Sequence, residues 1–423
     1  MRELESKYPR ELVVIGVQSG KYHAERVTTR IRDASIRLNA THPVLNDRQF
    51  RVWRSYAVSA WPTLVAIDAS GYVVGAHAGE FLAEMLVPFI EGLIEKARAA
   101  GTLSLGETTF GPDAPTITPG TLRYPGKVAV EGDRIAIADS GHNRIVVARL
   151  GSDSARATIE MIAGSGAAGF QDGTNGSFHS PQGLAFNGNE LVVADAENHS
   201  IRAVDLTTGE ITTIAGNGRQ LRSRRDQAEG AMSSPWDLVV DGDNIHVAMA
   251  GIHQLWTVNR RSGASRVHSG TGGEDIRDGA SREALLGQPM GIAKYGDRLY
   301  FADAESNALR WADISGEGNV GTIVGTGLFD FGDVDGSGDE VRLQHPQGVC
   351  PGPNGSLLVA DSYNDCIKLI DPASRTSTAW LKDLHEPAGV ACNDEYLFVA
   401  DTNAHRIVVA DLETKELREL TIE

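Results

Sequence analysis

The sequence predicts a mainly β protein in which a six-bladed β-propeller follows a smaller α/β domain. The main observation is a motif that occurs six times: a proline, an acid 14 residues later and an aliphatic residue 6 positions after the acid. The fifth copy has one extra residue, and the third lacks the acid. Recurrence at a nearly fixed period is typical of radial or stacked repeats. The copies begin at Pro125, Pro181, Pro235, Pro289, Pro346 and Pro387.

Each repeat is predicted to contain four strands. In the second repeat the short apolar runs cover residues 183–186, 191–194, 201–205 and 211–214, and glycine, asparagine and aspartate separate them. Such runs are strand and hairpin signals. Four strands per unit is the composition of a propeller blade, and we expect the strand that follows each proline to be innermost.

The repeated acid directly follows the second predicted strand. Short acidic side chains commonly accept backbone N–H groups in turns. We therefore interpret these acids as turn residues that bind amides of the tight turn that follows, and not as metal ligands or catalytic groups. The acids are Asp139, Asp195, Asp303, Asp361 and Asp401, and Met249 takes their place in the third repeat.

The pattern Pro-x-Gly followed by Val-Ala-Asp-x-x-Asn-x-x-Ile resembles the NHL repeat. The resemblance covers residues 122–423, where this short motif recurs in register. It implies a six-bladed NHL β-propeller over these residues. Some NHL propellers bind RNA through a basic face, so the charge of this region bears on its function.

Charge is unevenly distributed along the chain. Residues 1–100 contain 13 Lys and Arg against 11 Asp and Glu, and the remainder contains 26 against 45. Nucleic-acid binding needs basic side chains that displace counterions, so the acidic propeller region argues against a nucleic-acid partner. A local basic cluster is interpreted as a solvated loop. It consists of Arg219, Arg222, Arg224 and Arg225.

Membrane and secretion signals are missing from this sequence. No apolar run reaches the roughly 20 residues of a spanning helix, and the charged first residues do not resemble a secretory signal. We therefore expect a cytoplasmic protein without a membrane partner. Cys350, Cys366 and Cys392 have no close spacing, so we interpret them as small buried side chains and expect neither a disulfide framework nor a zinc site.

The first hundred residues alternate between strand-like and helix-like segments. Residues 11–17 are typical of a buried strand in a parallel sheet. Residues 23–38 and 81–99 carry the apolar spacing of amphipathic helices. Trp61 and Pro62 precede another buried apolar run. These segments predict an α/β domain.

This order of segments resembles the second half of a thioredoxin-like domain over residues 1–100, with a linker over 101–121. The resemblance implies a cis Trp61–Pro62 bond beside a redox centre and a binding role for both residues. The half that would carry Cys-x-x-Cys has no counterpart, because no cysteine precedes Cys350. We expect a piece of a longer protein, or a member that lost this half, and no dithiol chemistry in the chain as given. The whole chain is similar to NHL-repeat-containing proteins with an N-terminal thioredoxin-like domain.

An acidic, glycine-rich loop invites a calcium interpretation. Its glycine, Gly336, falls at the fourth position, whereas the EF-hand loop places glycine at the sixth. Shorter Asp-Gly copies at Asp172 and Asp278 favour simple turns. We therefore predict no metal and no cofactor. The acids of the loop are Asp333, Asp335, Asp339 and Glu340.

The repeat is broken two residues after the proline. This position is glycine in four repeats, but Lys127 in the first and Asp237 in the third, where Trp236 also departs from the pattern. Polar side chains converging on a channel mouth predict a ligand site. The alternatives are a structural Lys–Asp pair and a blade altered to dock the first domain. The predicted binding residues are thus Trp61, Pro62, Lys127, Trp236 and Asp237, and no catalytic residue is predicted.

Three functions are compatible with these observations. The favoured hypothesis is a non-enzymatic scaffold whose propeller face binds a protein or peptide, next to a redox-inactive partial thioredoxin-like domain. The first alternative is a thiol-disulfide oxidoreductase whose Cys-x-x-Cys half lies outside this chain. The second is a propeller hydrolase or lyase, which would need channel-facing acids or histidines with a metal. The sequence does not predict the oligomeric state.

Overall fold

The computed structural model describes residues 1–79, 81–106, 121–152 and 154–423. The chain divides into two compact units, Met1–Thr118 and Pro119–Glu423. Most of the predicted linker lies outside the described residues. Within the described part of the chain, no helix combines the length and the apolar character needed to cross a bilayer.

The first unit is a small α/β unit with two separate two-stranded sheets. Strand β1 pairs with β2 in parallel, and β3 pairs with β4 in antiparallel fashion. The elements follow the predicted order, and the predicted helices at 23–38 and 81–99 are present in shortened or shifted form as α2 and α4. The elements are α1 (Arg2–Lys7), β1 (Gly16–Gln18), α2 (Thr28–Arg37), β2 (Val44–Asn46), α3 (Arg51–Ser55), β3 (Thr63–Ile67), β4 (Val73–Ala78) and α4 (Ala83–Ala100).

The prediction of a buried strand over residues 11–17 is wrong. The observed strand begins only at Gly16, and Val13 and Ile15 before it are 51% and 60% exposed. The sheet of β1 and β2 has two strands, and neither strand forms hydrogen bonds with β3 or β4. In the described residues, the apolar side chains of residues 11–17 are therefore not buried in the interior of a larger sheet.

The second unit consists of six sheets, each a propeller blade of four main strands that pair in antiparallel fashion. Blade 1 contains β5 (Val128–Glu131), β6 (Arg134–Asp139), β7 (Arg144–Leu150) and β8 (Arg156–Ala163). Blade 2 contains β9 (Pro181–Asn187), β10 (Glu190–Asp195), β11 (Ser200–Asp205) and β12 (Ile211–Ala215), and helix α5 (Arg224–Ala228) follows it. Blade 3 contains β13 (Pro235–Asp241), β14 (Asn244–Met249), β15 (Gln254–Asn259) and β16 (Ser265–Ser269).

The other three blades repeat this arrangement, and two of them carry a short additional strand on the outer edge. Blade 4 contains β17 (Gly279–Ala280), β18 (Pro289–Tyr295), β19 (Arg298–Asp303), β20 (Ala308–Asp313) and β21 (Asn319–Val324). Blade 5 contains β22 (Gly336–Ser337), β23 (Gly348–Pro351), β24 (Leu357–Asp361), β25 (Cys366–Asp371) and β26 (Thr376–Leu381). Blade 6 contains β27 (Pro387–Cys392), β28 (Tyr396–Asp401), β29 (Arg406–Asp411) and β30 (Leu417–Glu419), and β31 (Thr421–Ile422) ends the chain.

The strands that follow the repeated prolines are innermost, which confirms the prediction. They are β5, β9, β13, β18, β23 and β27, and each contacts the next around the ring, with β27 returning to β5. Four of them begin at the proline itself. A proline is tolerated there because its missing N–H interrupts no ladder bond in the interior of the strand.

The ring is closed by pairing of the chain end with the first blade. Strand β31 lies parallel to β8, with Thr421 opposite Arg156 and Ile422 opposite Ala157. Blade 1 therefore gains its outermost strand from the end of the chain, so closure does not depend on side-chain packing alone.

The hydrophobic core lies between neighbouring blades. Each pair of adjacent blades shares an apolar cluster, and the cluster between blades 6 and 1 includes Ile137, Phe398 and Val409. A fully buried aliphatic or aromatic side chain contributes about 1.5–3 kcal/mol. Blade-to-blade packing therefore fixes the innermost strands and places the residues near the axis.

Candidate functional site on the propeller axis

The repeated acids bind backbone upstream of the proline. The Asp195 carboxylate accepts a hydrogen bond from the His179 amide at 2.8 Å, and the Asp361 carboxylate accepts one from the Gln344 amide at 2.7 Å. In all five blades with the acid, the donor lies two residues before the proline. Four of the acids directly precede a 3-10 turn, and their side chains do not cap it. The prediction that they accept backbone N–H groups of the following turn is therefore wrong, because the backbone donor lies upstream. Four of the acids contact the following turn through the side chain three residues after the acid, and their role as anchors of local backbone holds.

Burial makes Asp195 and Asp361 expensive to ionise. Removal from water raises the pKa of Asp195, and it raises the pKa of Asp361 to about 7. A buried carboxylate is tolerated only when hydrogen bonds and opposite charges compensate for lost hydration. In each blade with the acid, hydrogen-bond donors from the same repeat compensate for the hydration that the carboxylate loses.

A buried cation seven residues after the acid supplies the compensating charge in blades 2 and 4. The Arg202 guanidinium lies 2.8 Å from Asp195 and 2.6 Å from Asp172. Arg310 makes the equivalent pair with Asp303 at 2.9 Å and with an acid of the inter-blade loop. Both guanidinium groups are fully buried. The cation therefore joins the inner acid to the loop at the outer edge of the blade.

The Asp-Gly loops extend this connection to the outer strand. The Asp172 carboxylate accepts hydrogen bonds from the Thr213 amide and hydroxyl. Asp278 makes the same two contacts with Thr322 at 2.9 and 2.7 Å. The interpretation of these motifs as simple turns is therefore incomplete, because their side chains bind a cation and a strand together.

Two acids of the candidate calcium loop form ion pairs with a lysine side chain of the same blade. The buried ammonium of Lys368 donates to Asp333 and, at 2.8 Å, to Asp335. Asp333, Asp361 and Cys366 place potential ligand atoms within 4.8 Å of one another. However, the ammonium already bound to Asp333 opposes a second cation there. The loop corresponds to the arginine-paired loops of blades 2 and 4.

Blade 3 lacks both partners of this ion pair. Met249 stands at the acid position, and Trp256 stands seven residues later, where its indole N–H donates to Gln254 at 2.9 Å. Removing only one member would leave a buried charge without compensation, which costs about 3–5 kcal/mol. The two apolar replacements therefore belong together.

A second set of polar side chains links five of the blades, all except blade 3, to the next blade around the ring. These residues lie four positions after the acid and adopt the left-handed backbone conformation. The His199 Nδ1 atom accepts a hydrogen bond from the Ser234 amide at 3.0 Å, and the amide oxygen of Asn143 accepts one from Ser180 at 3.0 Å. Burial lowers the pKa of His199 to about 4, so the ring is neutral and can accept. The linking residues are Asn143, His199, Asn307, Asp365 and His405.

Lys127 and Asp237 meet across the propeller axis. The Lys127 ammonium lies 3.5 Å from the Asp237 carboxylate, and it donates to the carbonyls of Gln347 and, at 3.0 Å, Ala388. The carboxylate in turn accepts from the Ile292 amide at 3.2 Å. Burial lowers the pKa of Lys127 and raises that of Asp237. The pair thus joins blades 1, 3, 4, 5 and 6 at the centre of the ring.

The four glycines at equivalent positions allow the backbones to approach closely. A Cβ atom on Gly183 would lie 2.5 Å from the Asp237 Cα, and one on Gly389 would lie 2.6 Å from the Lys127 Cα. Real Cβ atoms are not found so close to backbone. Glycine therefore fills the positions where blades touch, and the Lys–Asp pair fills the space that remains on the axis.

Trp236 directly precedes Asp237 on β13 and is partly exposed. Its ring packs against Ala250, Met290 and Ala304. In the part of the chain that the structure describes, its buried indole N–H has no hydrogen-bond acceptor. The fold thus brings Lys127 and Asp237 together, and Trp236 is next to Asp237 in the chain. The ligand-binding role of all three residues stays a prediction.

The other two predicted binding residues belong to the first unit. The Trp61–Pro62 bond is cis, as predicted. The Trp61 indole N–H donates to the Ser19 carbonyl at 2.7 Å, and its ring lies 4.5 Å from that of Trp53. The side chain is 47% exposed, which leaves part of the ring open to solvent. The structure therefore positions Trp61, and its binding role stays a prediction.

Two of the three cysteines lie close together in space although they are widely spaced in the sequence. The Sγ atoms of Cys350 and Cys392 lie 3.4 Å apart, and Cys366 lies elsewhere in blade 5. The two cysteines are far apart in sequence but lie on neighbouring innermost strands. Sequence spacing did not reveal a proximity that depends on the packing of blade 5 against blade 6.

Sequence reasoning also missed the buried cations and the linking residues. A regular offset could have indicated both, because Arg202, Arg310 and Lys368 all lie seven residues after the acid. The linking position four residues after the acid contains Asn, Asp or His in every blade. In blade 3 this residue is His253, whose Nδ1 atom has no partner in the described structure.

Comparison with known proteins agrees with the architecture. A model of the NHL repeat matches residues 178–203, which contain the first two strands of blade 2. This chain is an NHL-repeat protein. The prediction of a mainly β, six-bladed NHL propeller is confirmed, whereas the thioredoxin-like character of the first unit stays a prediction.

Relatives with this repeat are longer than the present chain. It is 36% identical over 481 residues to NHL repeat-containing protein 2 of Gallus gallus, covering 100% of this chain and 65% of that protein. The Homo sapiens protein of the same name is 35% identical over 465 residues, with 97% and 63% covered. Protein SUPPRESSOR OF QUENCHING 1, chloroplastic, of Arabidopsis thaliana is 36% identical over 459 residues, with 99% and 43% covered. The chain thus spans less than two thirds of the length of these relatives.

Proposed function

We propose that this NHL-repeat protein is a non-enzymatic scaffold whose propeller binds a protein or peptide partner at the blade-3 side of its axis. The observation that carries the proposal is Trp236, a partly exposed tryptophan that directly precedes the axial residue Asp237 on β13. Tryptophan is enriched among the residues that dominate binding energy at protein interfaces. The solvent-exposed part of the Trp236 ring would pack against an apolar side chain of a bound peptide.

The closed axis supports binding at a surface instead of chemistry in a channel. The Lys127 and Asp237 side chains are 4% and 13% exposed, and each is held by backbone groups of other blades. A catalytic acid or base must reach the substrate atom whose proton it transfers. The axial groups are instead committed to joining the blades.

The repeated acids are committed in the same way. Asp195 and Asp303 are fully buried, and both accept from a backbone amide and an arginine. An acid with these contacts stabilises its blade and offers no free oxygen to a ligand. The scaffold hypothesis therefore gains support relative to a hydrolase or lyase, while the oxidoreductase alternative and the cytoplasmic location stay predictions.

The test compares two tryptophan variants of the full chain. Trp236→Ala removes the proposed anchor, and Trp311→Ala removes a partly exposed tryptophan of β20 that stacks under Arg298 at 3.9 Å. Proteins captured from cell extract by the wild type and each variant are quantified, and candidates are then purified and titrated by calorimetry. A hot-spot residue contributes at least about 2 kcal/mol, so Trp236→Ala is expected to weaken a direct partner roughly 30-fold.

The control variant is expected to bind like the wild type. Both variants must retain the wild-type circular dichroism spectrum, which shows that the blades are intact. Equal affinity of the purified partner for Trp236→Ala and Trp311→Ala would refute the assignment of the binding surface to the blade-3 side of the axis.

A further inference from the structure

Two thiols face each other between blades 5 and 6. Cys350 lies on β23 and Cys392 is the last residue of β27, and their sulfur atoms are 3.4 Å apart. A disulfide bond requires about 2.0 Å between the sulfurs. Because β23 and β27 are neighbouring innermost strands, a small side-chain movement is enough to bring the sulfurs into bonding distance.

The two thiols differ in their access to solvent. Cys392 is partly exposed and lines an open depression of about 550 Å³ between the hairpin ends of the two blades. Cys350 is buried behind it, with 6% exposure. Its hydrogen bond with Cys392 and its burial raise the pKa of Cys350, so this thiol stays protonated near neutral pH. A reagent from solvent therefore meets Cys392 first.

We propose that Cys392 is a modification site that exchanges with small disulfides entering this depression, and that Cys350 converts the adduct into a disulfide joining blades 5 and 6. In the first step the Cys392 thiolate attacks one sulfur of the small disulfide. The small disulfide's S–S bond breaks, and one of its halves leaves as a thiolate that takes up a proton. This step forms a mixed disulfide on Cys392.

The second step uses the neighbouring buried thiol. Cys350 gives up its proton and attacks the Cys392 sulfur, and the second half of the reagent leaves as a thiolate that is then protonated. In total the two cysteines lose two electrons and two protons, and one small disulfide is reduced to two thiols. A dithiol reductant reverses the reaction by the same exchange chemistry.

The charge of the depression predicts which disulfides react fastest. Asp394 and Glu413 are among its lining residues. Opposite charges are attracted and like charges repelled over these short distances, and salt reduces both effects. Cystamine, a dication, is therefore expected to react several-fold faster than oxidised glutathione, an anion, and added salt is expected to narrow the difference.

The test is intact-mass and peptide mapping of the full chain after treatment with cystamine. The wild type is expected to lose two hydrogens without keeping an adduct, and mapping is expected to identify a Cys350–Cys392 cross-link. The Cys350→Ala variant is expected to stop at a stable cysteamine adduct on Cys392. The Cys392→Ala variant is expected to stay unmodified, because the remaining thiol of the pair is buried.

Cys366 serves as an internal control in the same samples. It is buried, and its pKa is raised by burial and by the nearby Asp361, so it is expected to remain a free thiol. A persistent adduct on wild-type Cys392, a cross-link that includes Cys366, or no change in mass while an unfolded sample reacts fully would each overturn the proposal. Folding of the variants is checked by circular dichroism, and the wild-type result stands without them.

Discussion

Separating the axial ion pair is expected to destabilise the propeller strongly. At 3.5 Å, the distance between Lys127 and Asp237, opposite unit charges attract by about 5 kcal/mol at an effective dielectric constant near 20. Lys127→Met removes this attraction and also the donor that satisfies two backbone carbonyls. Leaving one buried charge without its partner costs about 3–5 kcal/mol, so we expect a loss in this range for Lys127→Met.

Asp237→Asn is expected to cost a similar amount for the opposite reason, because it leaves the lysine ammonium unpaired. In the double variant neither charge remains, so the loss should be smaller than the sum of the two single losses by about 2–3 kcal/mol. Urea unfolding of the full chain, followed by circular dichroism, measures each difference relative to the wild type.

The two single variants are also expected to respond to pH in opposite directions. Burial raises the pKa of Asp237, so in Lys127→Met the folded state holds a proton that the unfolded chain has released, and stability falls as pH rises above about 4. Burial lowers the pKa of Lys127 below 10.5, so in Asp237→Asn the unfolded chain holds more protons, and stability increases as pH rises towards that value.

A matched control comes from the exposed pair of Lys294 and Asp241, whose charged atoms are 2.6 Å apart on neighbouring innermost strands. Both side chains are about one third exposed, so Lys294→Met should cost no more than about 1 kcal/mol. The reasoning is refuted if Lys127→Met is no more destabilising than Lys294→Met, or if the two axial variants share the same pH dependence.

Three further outcomes follow from the blade contacts. Arg202→Met leaves the buried Asp195 carboxylate without its ion-pair partner and should lower the free energy of unfolding by about 3–5 kcal/mol. The control Arg149→Met breaks only exposed ion pairs and should lower it by less than about 1 kcal/mol in the same urea assay. His199→Ala removes the hydrogen-bond acceptor for the Ser234 amide and should lower the free energy of unfolding by about 1–2 kcal/mol, and His199→Asn should recover most of this loss. Because the pKa of His199 in the folded protein is about 4, the contribution of this hydrogen bond to stability is expected to decline as the pH falls below 6.5. Equal stability of His199→Ala and His199→Asn would contradict the assigned bond. The inter-blade disulfide closes a 42-residue separation and should raise urea resistance by up to about 4 kcal/mol relative to the reduced protein, so an unchanged midpoint would show that strain cancels the gain.

Much of the propeller could be predicted from the sequence because its strands are local. Pro181, Asp195 and Ile201 are separated by fixed numbers of residues, and a blade must bring each strand back beside the previous one over the same length. Alternating apolar positions and turn residues then locate the strands without knowledge of the rest of the molecule. The first unit was predicted less well, because the apolar run before Gly16 is not buried in the described structure.

The sequence identified residues of the candidate site but not the contacts that they make. The break in the repeat at Lys127 and Asp237 identified two unusual residues. The sequence left three interpretations open: a ligand site, a structural pair and a blade altered to dock the first domain. They are more than a hundred residues apart, and their distance depends on how six blades close into a ring. Contacts of this kind have no periodic signal along the chain.

The sequence by itself determined the repeat, the four strands of each blade, the innermost position of the proline strand and the acidic character of the propeller. The tertiary structure decided which groups meet: the repeated acids with backbone upstream of the proline, Lys127 with Asp237 on the axis, and Cys350 with Cys392 between blades. The physical reason is that strand pairing within a blade follows local spacing. Ion pairs and thiol contacts between blades depend on the closed ring, which fixes distances that the chain order leaves free.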